Sequence, residues 1–229
     1  QDWPPTSSFK EDHRDWYDVI VDGIPLKVRD WIRPDGAHNL MAHFAKNAKR
    51  PDGGPKAYNA LSSGDDEDGG HATTYLHEDM SYAFNILLYS EPRRDGSQGA
   101  ARWDIIHPDD ADLFRDIAVE EKLCIGLGDL DPIHSQLMYL SPATIEMLKG
   151  RGVRVYTIFQ HVGELVTIPV KSPHQVTNLS DANKIACDFL NPLHLHDTEV
   201  VAKELRKHRL STMEGEDVLQ LYHCLWWAW

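Results

Sequence analysis

The sequence predicts a mainly β domain, an antiparallel sandwich or small barrel with helices wrapped around both ends. From Thr73 onward, short runs rich in β-branched and aromatic residues recur at Thr73–Leu76, Ala83–Tyr89, Arg102–Ile106, Val153–Gln160, Leu165–Pro169 and Lys184–Leu190. No βαβ spacing separates them, and Gly96, Gly99, Gly163, Ser172 and Pro173 punctuate them as turns. Segments on either side mix charge with spaced apolar residues in a helical pattern.

In chain order, the stretch up to about Asn47 carries Phe9, Trp16, Ile20 and Trp31 at helical spacings, with Pro25 and Pro34 as breaks. A turn-rich passage follows around Pro51, Gly53, Gly54 and Pro55. Ser62 to Gly70 is small, acidic and glycine-rich, the composition of a loop. Two helices interrupt the strands. Asp109 or Asp110 is placed to cap one that carries Leu113, Phe114 and Ile117 on one face. Ser141-Pro142 starts another that ends near Gly150. After Pro192 helices return, over Val200–His208 and Val218–Trp229, and the Trp226-Trp227-Trp229 cluster reads as a face packing on the barrel.

Composition narrows the function classes. At 229 residues, 41% of them hydrophobic, the chain buries a real core and one domain suffices. No apolar run reaches the length of a membrane helix. Cys124, Cys187 and Cys224 are too few and scattered for a disulfide framework, so a reducing, intracellular compartment is expected. A formal charge of -13 argues against direct nucleic-acid binding and favours a basic partner. The start at Gln1 suggests a piece of a longer protein, with contacts to its other regions.

The candidate chemistry begins at Thr74-Tyr75-Leu76-His77-Glu78-Asp79. On a strand, residues i and i+2 face the same side about 7 Å apart, so His77 and Asp79 can converge on one metal. Glu78, between them, should point away. A third ligand must come from elsewhere, since two His and one carboxylate make the site of non-haem Fe(II) oxygenases. The segment Gly163–Pro169 leads through a short loop to Ser172-Pro173-His174-Gln175-Val176-Thr177-Asn178, where His174 opens the next strand. In a barrel that places His174 opposite the His77–Asp79 pair.

These stretches carry a resemblance. The sequence is similar to the JmjC domain, and within it to the branch that demethylates lysine nine of the histone tail. The matching residues are Gly54-Pro55-Lys56-Ala57-Tyr58-Asn59-Ala60, Thr73 through Asp79, Asn85 with Tyr89, Asp131-Pro132-Ile133-His134, Gly163 through Pro169, Pro173-His174-Gln175-Val176 with Asn178-Leu179, then Asp188-Phe189 and Pro192. The resemblance implies a double-stranded β-helix, a cupin-like jelly-roll barrel. A single catalytic domain would then span 1–229, with a helical part to about 50, a barrel core over about 54–192 and a helical part over about 193–229. It further implies Fe(II) on His77, Asp79 and His174, with 2-oxoglutarate and O2 as cosubstrates. Other divalent metals can substitute for the iron in a crystal.

For the far carboxylate of 2-oxoglutarate, the resemblance implies Thr74 and Asn85 as polar partners. Burying that charge also requires a cation. Lys184 lies in the last barrel strand between Ile185 and Asn183, with the parity of His174 and Asp188, and is the favoured candidate. Arg93, Arg94 and Arg102, near Trp103, are its rivals. His134 reads as structural. Tyr58 and Tyr82 are the candidate walls for a methylated ammonium. Two departures bear on substrate choice: Leu61 stands where the branch has a second tyrosine, and the insert before Trp103 is short. The expected activity is demethylation of a basic histone tail by a nuclear protein. The alternatives are a JmjC hydroxylase that leaves a stable alcohol and a catalytically silent chromatin-binding module.

Overall fold

A computed structural model describes residues 8–24, 26–45, 47–48, 50–63, 71–213 and 219–229. The expected break at Pro25 and most of the acidic loop, Gly64 to Gly70, lie outside them.

Among the described residues, eight strands form two four-stranded sheets. One runs in the order β1 (Lys56–Ala60), β8 (Ala182–Phe189), β3 (Tyr82–Ser90), β6 (Leu165–Ile168). The other runs β2 (Thr74–His77), β7 (His174–Asn178), β4 (Ala101–Ile106), β5 (Val155–Gln160). Every pairing is antiparallel. Apart from β4 and β5, which pair within one sheet, consecutive strands lie in opposite sheets and face each other across the interior. This is the jelly-roll, cupin-like barrel that the resemblance implies. In the turn between β5 and β6 Gly163 has a φ of 87°, a conformation costly for residues with a Cβ.

The strand alternation sets what faces inward. Ala83, Val166 and Ile168 from the first sheet pack on Ala101, Trp103, Ile105 and Val176 from the second. A second core lies under α4 (Ala111–Glu120) and α5 (Pro142–Gly150), built from Leu76, Ile106, Phe114, Ile117, Leu140 and Leu148 among others. Phe114 is fully buried at its centre. Phe114→Ala should therefore cost about 3–5 kcal/mol of stability, readable as a lowered urea midpoint.

The expected helix starts hold with one correction. Ser141 Oγ accepts from the Thr144 N–H at 3.1 Å, with Pro142 in the first turn, as a cap should. Asp110 precedes α4 but makes no cap bond. It is drawn instead to Arg154, whose backbone N–H, Nε and Nη2 all donate to it at 2.8 Å. That charge-assisted set outweighs a single cap bond, and holds Asp110 down to about 2.

The terminal helices differ more from expectation. α6 runs Leu195–Thr212, longer than the expected Val200–His208. α7 covers Leu221–Ala228 and packs through Leu221 and Cys224 on Met41, Phe44 and Leu190. Trp226, Trp227 and Trp229 point outward, reversing the expected face. N-terminal helices α1 (Phe9–Asp12), α2 (Arg14–Gly23) and α3 (Arg29–Ile32) lie over the outer face of the β1–β8–β3–β6 sheet.

Candidate active site

Between the sheets lies a cavity of about 130 Å³, well beyond the roughly 10–15 Å³ that one water needs. Alternation supplies its walls: Lys56 and Tyr58 from β1, Ala83 and Asn85 from β3, His174, Val176 and Asn178 from β7, Lys184, Ala186 and Asp188 from β8. Thr74 and His77 both face it although they lie an odd number of positions apart. The β2–β7 register shifts between them, and such a bulge carries an odd-spaced pair onto one face.

His77, Asp79 and His174 converge at one end. Their ligating atoms lie within 4.8 Å of one another. His77 sits directly opposite His174 in the register, with ring centroids 4.2 Å apart. Asp79 places Oδ1 at 4.0 Å from His77 Nε2 and Oδ2 at 3.7 Å from His174 Nε2. Each ring is oriented the same way. His77 Nδ1 bonds the Tyr75 carbonyl at 2.8 Å and His174 Nδ1 the Ser172 carbonyl at 2.9 Å. A proton on Nδ1 leaves both Nε2 lone pairs free toward the shared space, the tautomer a metal requires.

The electrostatics agree. Burial pushes His174 down to about 4, helped by His77 and opposed by Asp79, so the ring is neutral at physiological pH. Burial works against ionisation of Asp79, but His77, His174 and Lys56 hold it below the usual carboxylate range. Two imidazole nitrogens and one carboxylate oxygen suit a divalent cation. Glu78 points away from this cavity, as strand parity predicts, and its side chain is fully buried on the other side of β2.

At the other end lies Lys184, 5% exposed. Its Nζ donates to Asn178 Oδ1 and sits 5.5 Å from the Trp103 ring centroid. It makes no ion pair with a carboxylate among the described residues. Burial pushes it down to about 7. Asn85 adds an amide oxygen that is buried and has no partner among the described residues. A buried lysine with no carboxylate partner among the described residues suits an anionic ligand. The rival arginines lie elsewhere. Arg102 bonds Asp104 and Tyr139, and Arg93 and Arg94 line a separate surface pocket.

Tyr58 lines the cavity, with burial pushing its hydroxyl up to about 12. Tyr82 does not line it. Its ring packs on Phe189 and His194 at 5.6 and 5.5 Å, on the outside of the opening, because its parity in β3 is opposite to that of Ala83 and Asn85. Sequence reading missed the ion pair between Lys56 and Asp188 in the cavity wall. Burial alone would push Lys56 down, but the Asp188 carboxylate holds it above the ordinary lysine value. The matching parity of Lys184 and Asp188 was a signal for one partner, and nothing local marked the other.

A barrel with two imidazoles and a carboxylate at one end of its cavity has the residue set of a facial triad, a group that could hold a metal ion. A family model described as "JmjC domain, hydroxylase" matches residues 72–189, and the chain belongs to the JmjC family. Over 260 residues it is 31% identical to human lysine-specific demethylase 3A, covering all of this chain and 20% of that protein. Over 262 residues it is 31% identical to lysine-specific demethylase 3 of Drosophila melanogaster, covering 30% of that protein. The human probable JmjC domain-containing histone demethylation protein 2C is 28% identical over 265 residues. The chain thus spans less than a third of the length of these relatives. No helix among the described residues is long and apolar enough to cross a membrane.

Proposed function

We propose that this chain is the catalytic domain of an Fe(II)- and 2-oxoglutarate-dependent histone lysine demethylase that acts in the nucleus on methylated lysine nine of the histone tail. The observation that supports it most is a single cavity holding the His77–Asp79–His174 triad at one end and the buried Lys184 cation at the other. The names of its relatives point to the same reaction.

The residues fit the groups this reading requires. His77 and His174 present Nε2 and Asp79 a carboxylate oxygen for iron. Lys184 neutralises the far carboxylate of 2-oxoglutarate, with Thr74 and Asn85 beside it. Iron with bound 2-oxoglutarate supplies oxidation of a C–H bond by O2, with one oxygen atom entering the substrate and the other leaving in succinate as carbon dioxide is lost. An N-methyl group hydroxylated at its carbon breaks down to formaldehyde and the demethylated amine. The protein keeps the cavity narrow and apolar around Ile168, Val176 and Trp103, which excludes bulk water from the reacting centre. Tyr58 offers an aromatic face to the incoming methylated ammonium.

Charge supports a basic substrate. At -13 the chain draws a lysine- and arginine-rich tail by long-range attraction. The KM for a histone-tail peptide should therefore rise with ionic strength from about 0.05 to 0.3 M while kcat changes little, since screening acts mainly on encounter. Peptides mono- or dimethylated at lysine nine, incubated with iron-loaded protein, should lose one CH2 unit per turnover by mass spectrometry and release formaldehyde. A stable gain of one oxygen identifies a hydroxylase instead. No change in any peptide and no succinate would indicate a silent binding module.

A further inference from the structure

On the far side of β2 from the cavity is a second cluster of ligating side chains, Glu78, His134 and Glu204. It lies in the interior against the core under α4, opening at one edge to a polar pocket. Three such groups would suit a divalent cation, but a guanidinium already faces all of them. Arg115 Nη2 stands 2.8 Å from Glu204 Oε2, 3.3 Å from His134 Nε2 and 3.6 Å from Glu78 Oε2. Arg115 is itself fixed from behind, with Nε donating to Asp131 Oδ2 at 2.8 Å. Asp131 Oδ1 accepts the backbone N–H groups of Ile133 and His134, both at 2.9 Å, and so sets the turn that presents the imidazole. This accounts for Asp131-Pro132-Ile133-His134, which the metal site leaves unused.

Glu78 is the unusual member. Its side chain is 0% exposed and both oxygens lack hydrogen bonds among the described residues. Its nearest basic groups are Arg115 Nη2 at 3.6 Å and His134 Nε2 at 3.8 Å. A carboxylate buried in this way is stabilised only by nearby positive charge, and removing that charge is costly. Glu78 also lies between His77 and Asp79. Both ligands leave the chain on one side and Glu78 on the other, beyond the last hydrogen-bonded pair of β2. Any roll of this segment about its own axis swings both ligand atoms together. A charge held on the opposite side resists that roll.

We infer that Arg115, itself anchored by Asp131 and Glu204, holds Glu78 from behind β2 and thereby positions His77 and Asp79 for metal binding. The inference rests on the triad being a metal site. Arg115 and Glu78 are positioning residues, since neither touches the cavity. The hub joins α4, the turn at Asp131–His134 and α6 to the ligand segment, so α6 contributes to the geometry of the metal site.

The test is competition of Co(II) against a chromophoric chelator, with the visible spectrum of bound Co(II) and the Tm of the metal-free protein read in parallel. Arg115→Met should weaken Co(II) binding roughly tenfold or more and alter the spectrum, as the loss of a group that orients metal ligands does. Arg115→Lys, which keeps the charge, should stay within a few-fold of the wild type. If Arg115→Met does not fold, Glu204→Gln, at the partly exposed rim, should still loosen Co(II) several-fold. A folded Arg115→Met protein with unchanged Co(II) affinity and spectrum overturns the inference, whether or not its Tm has fallen. Unchanged affinity in Glu204→Gln, where that variant stands in, overturns it equally. Failure of the wild type to bind Co(II) would instead overturn the metal-site reading itself.

Discussion

His174→Ala is expected to abolish 2-oxoglutarate turnover and to weaken metal binding by more than about 100-fold, because it removes one of three ligands outright. The ring is 3% exposed and neutral, so its loss leaves a small cavity and no uncompensated charge. The variant should fold, with a urea midpoint lowered modestly and a circular dichroism spectrum like the wild type. Turnover is read as succinate formed with and without added iron. A His174→Ala protein that retains metal and turnover would show that the iron sits elsewhere.

Lys184→Met is expected to separate function from stability. The apparent KM for 2-oxoglutarate should rise by on the order of 100-fold or more, the effect of removing one partner from a buried charge-assisted contact. Metal affinity measured without cosubstrate should change little, since Lys184 is at the opposite end of the cavity. Stability of the ligand-free protein should move the other way. Burial holds folded Lys184 down to about 7 against 10.5 for an ordinary lysine, so between those values the unfolded chain binds more protons. Wild-type stability therefore rises with pH across about 7 to 10. The methionine variant lacks that dependence and should be more stable at neutral pH by on the order of a few kcal/mol. Urea titrations of both proteins at pH 7 and pH 9 check it. A lysine penalty that vanishes with saturating 2-oxoglutarate would mark the cavity as built for an anion.

The strands that the sequence makes legible are those with β-branched and aromatic runs, such as β4 and β5. β1 was not legible as a strand. Lys56-Ala57-Tyr58-Asn59-Ala60 has no apolar alternation, and it is held as an edge by pairing with β8, far away in sequence. Local spacing reports His77 and Asp79 of the triad, whereas His174 is reached through the strand–turn pattern at Ser172–Asn178 and the resemblance, and the β2–β7 pairing brings it in. Local spacing cannot report such a meeting. The same limit hid the Lys56–Asp188 pair and the hub of Glu78, Arg115, His134 and Glu204, whose members come from four separate segments. Tyr82 misled because parity was not followed through β3. The C-terminal tryptophans misled because bulk apolar character does not say which helix face packs inward.

A crystal structure of the protein with Fe(II) and 2-oxoglutarate, grown without oxygen and measured at the iron absorption edge, tests the central claim most directly. The anomalous peak should lie roughly 2.0–2.2 Å from His77 Nε2, His174 Nε2 and one Asp79 oxygen, by analogy with comparable imidazole and carboxylate ligands. The far carboxylate of 2-oxoglutarate should reach Lys184 Nζ. An iron peak away from the triad, or a cosubstrate whose far carboxylate avoids Lys184, would contradict it.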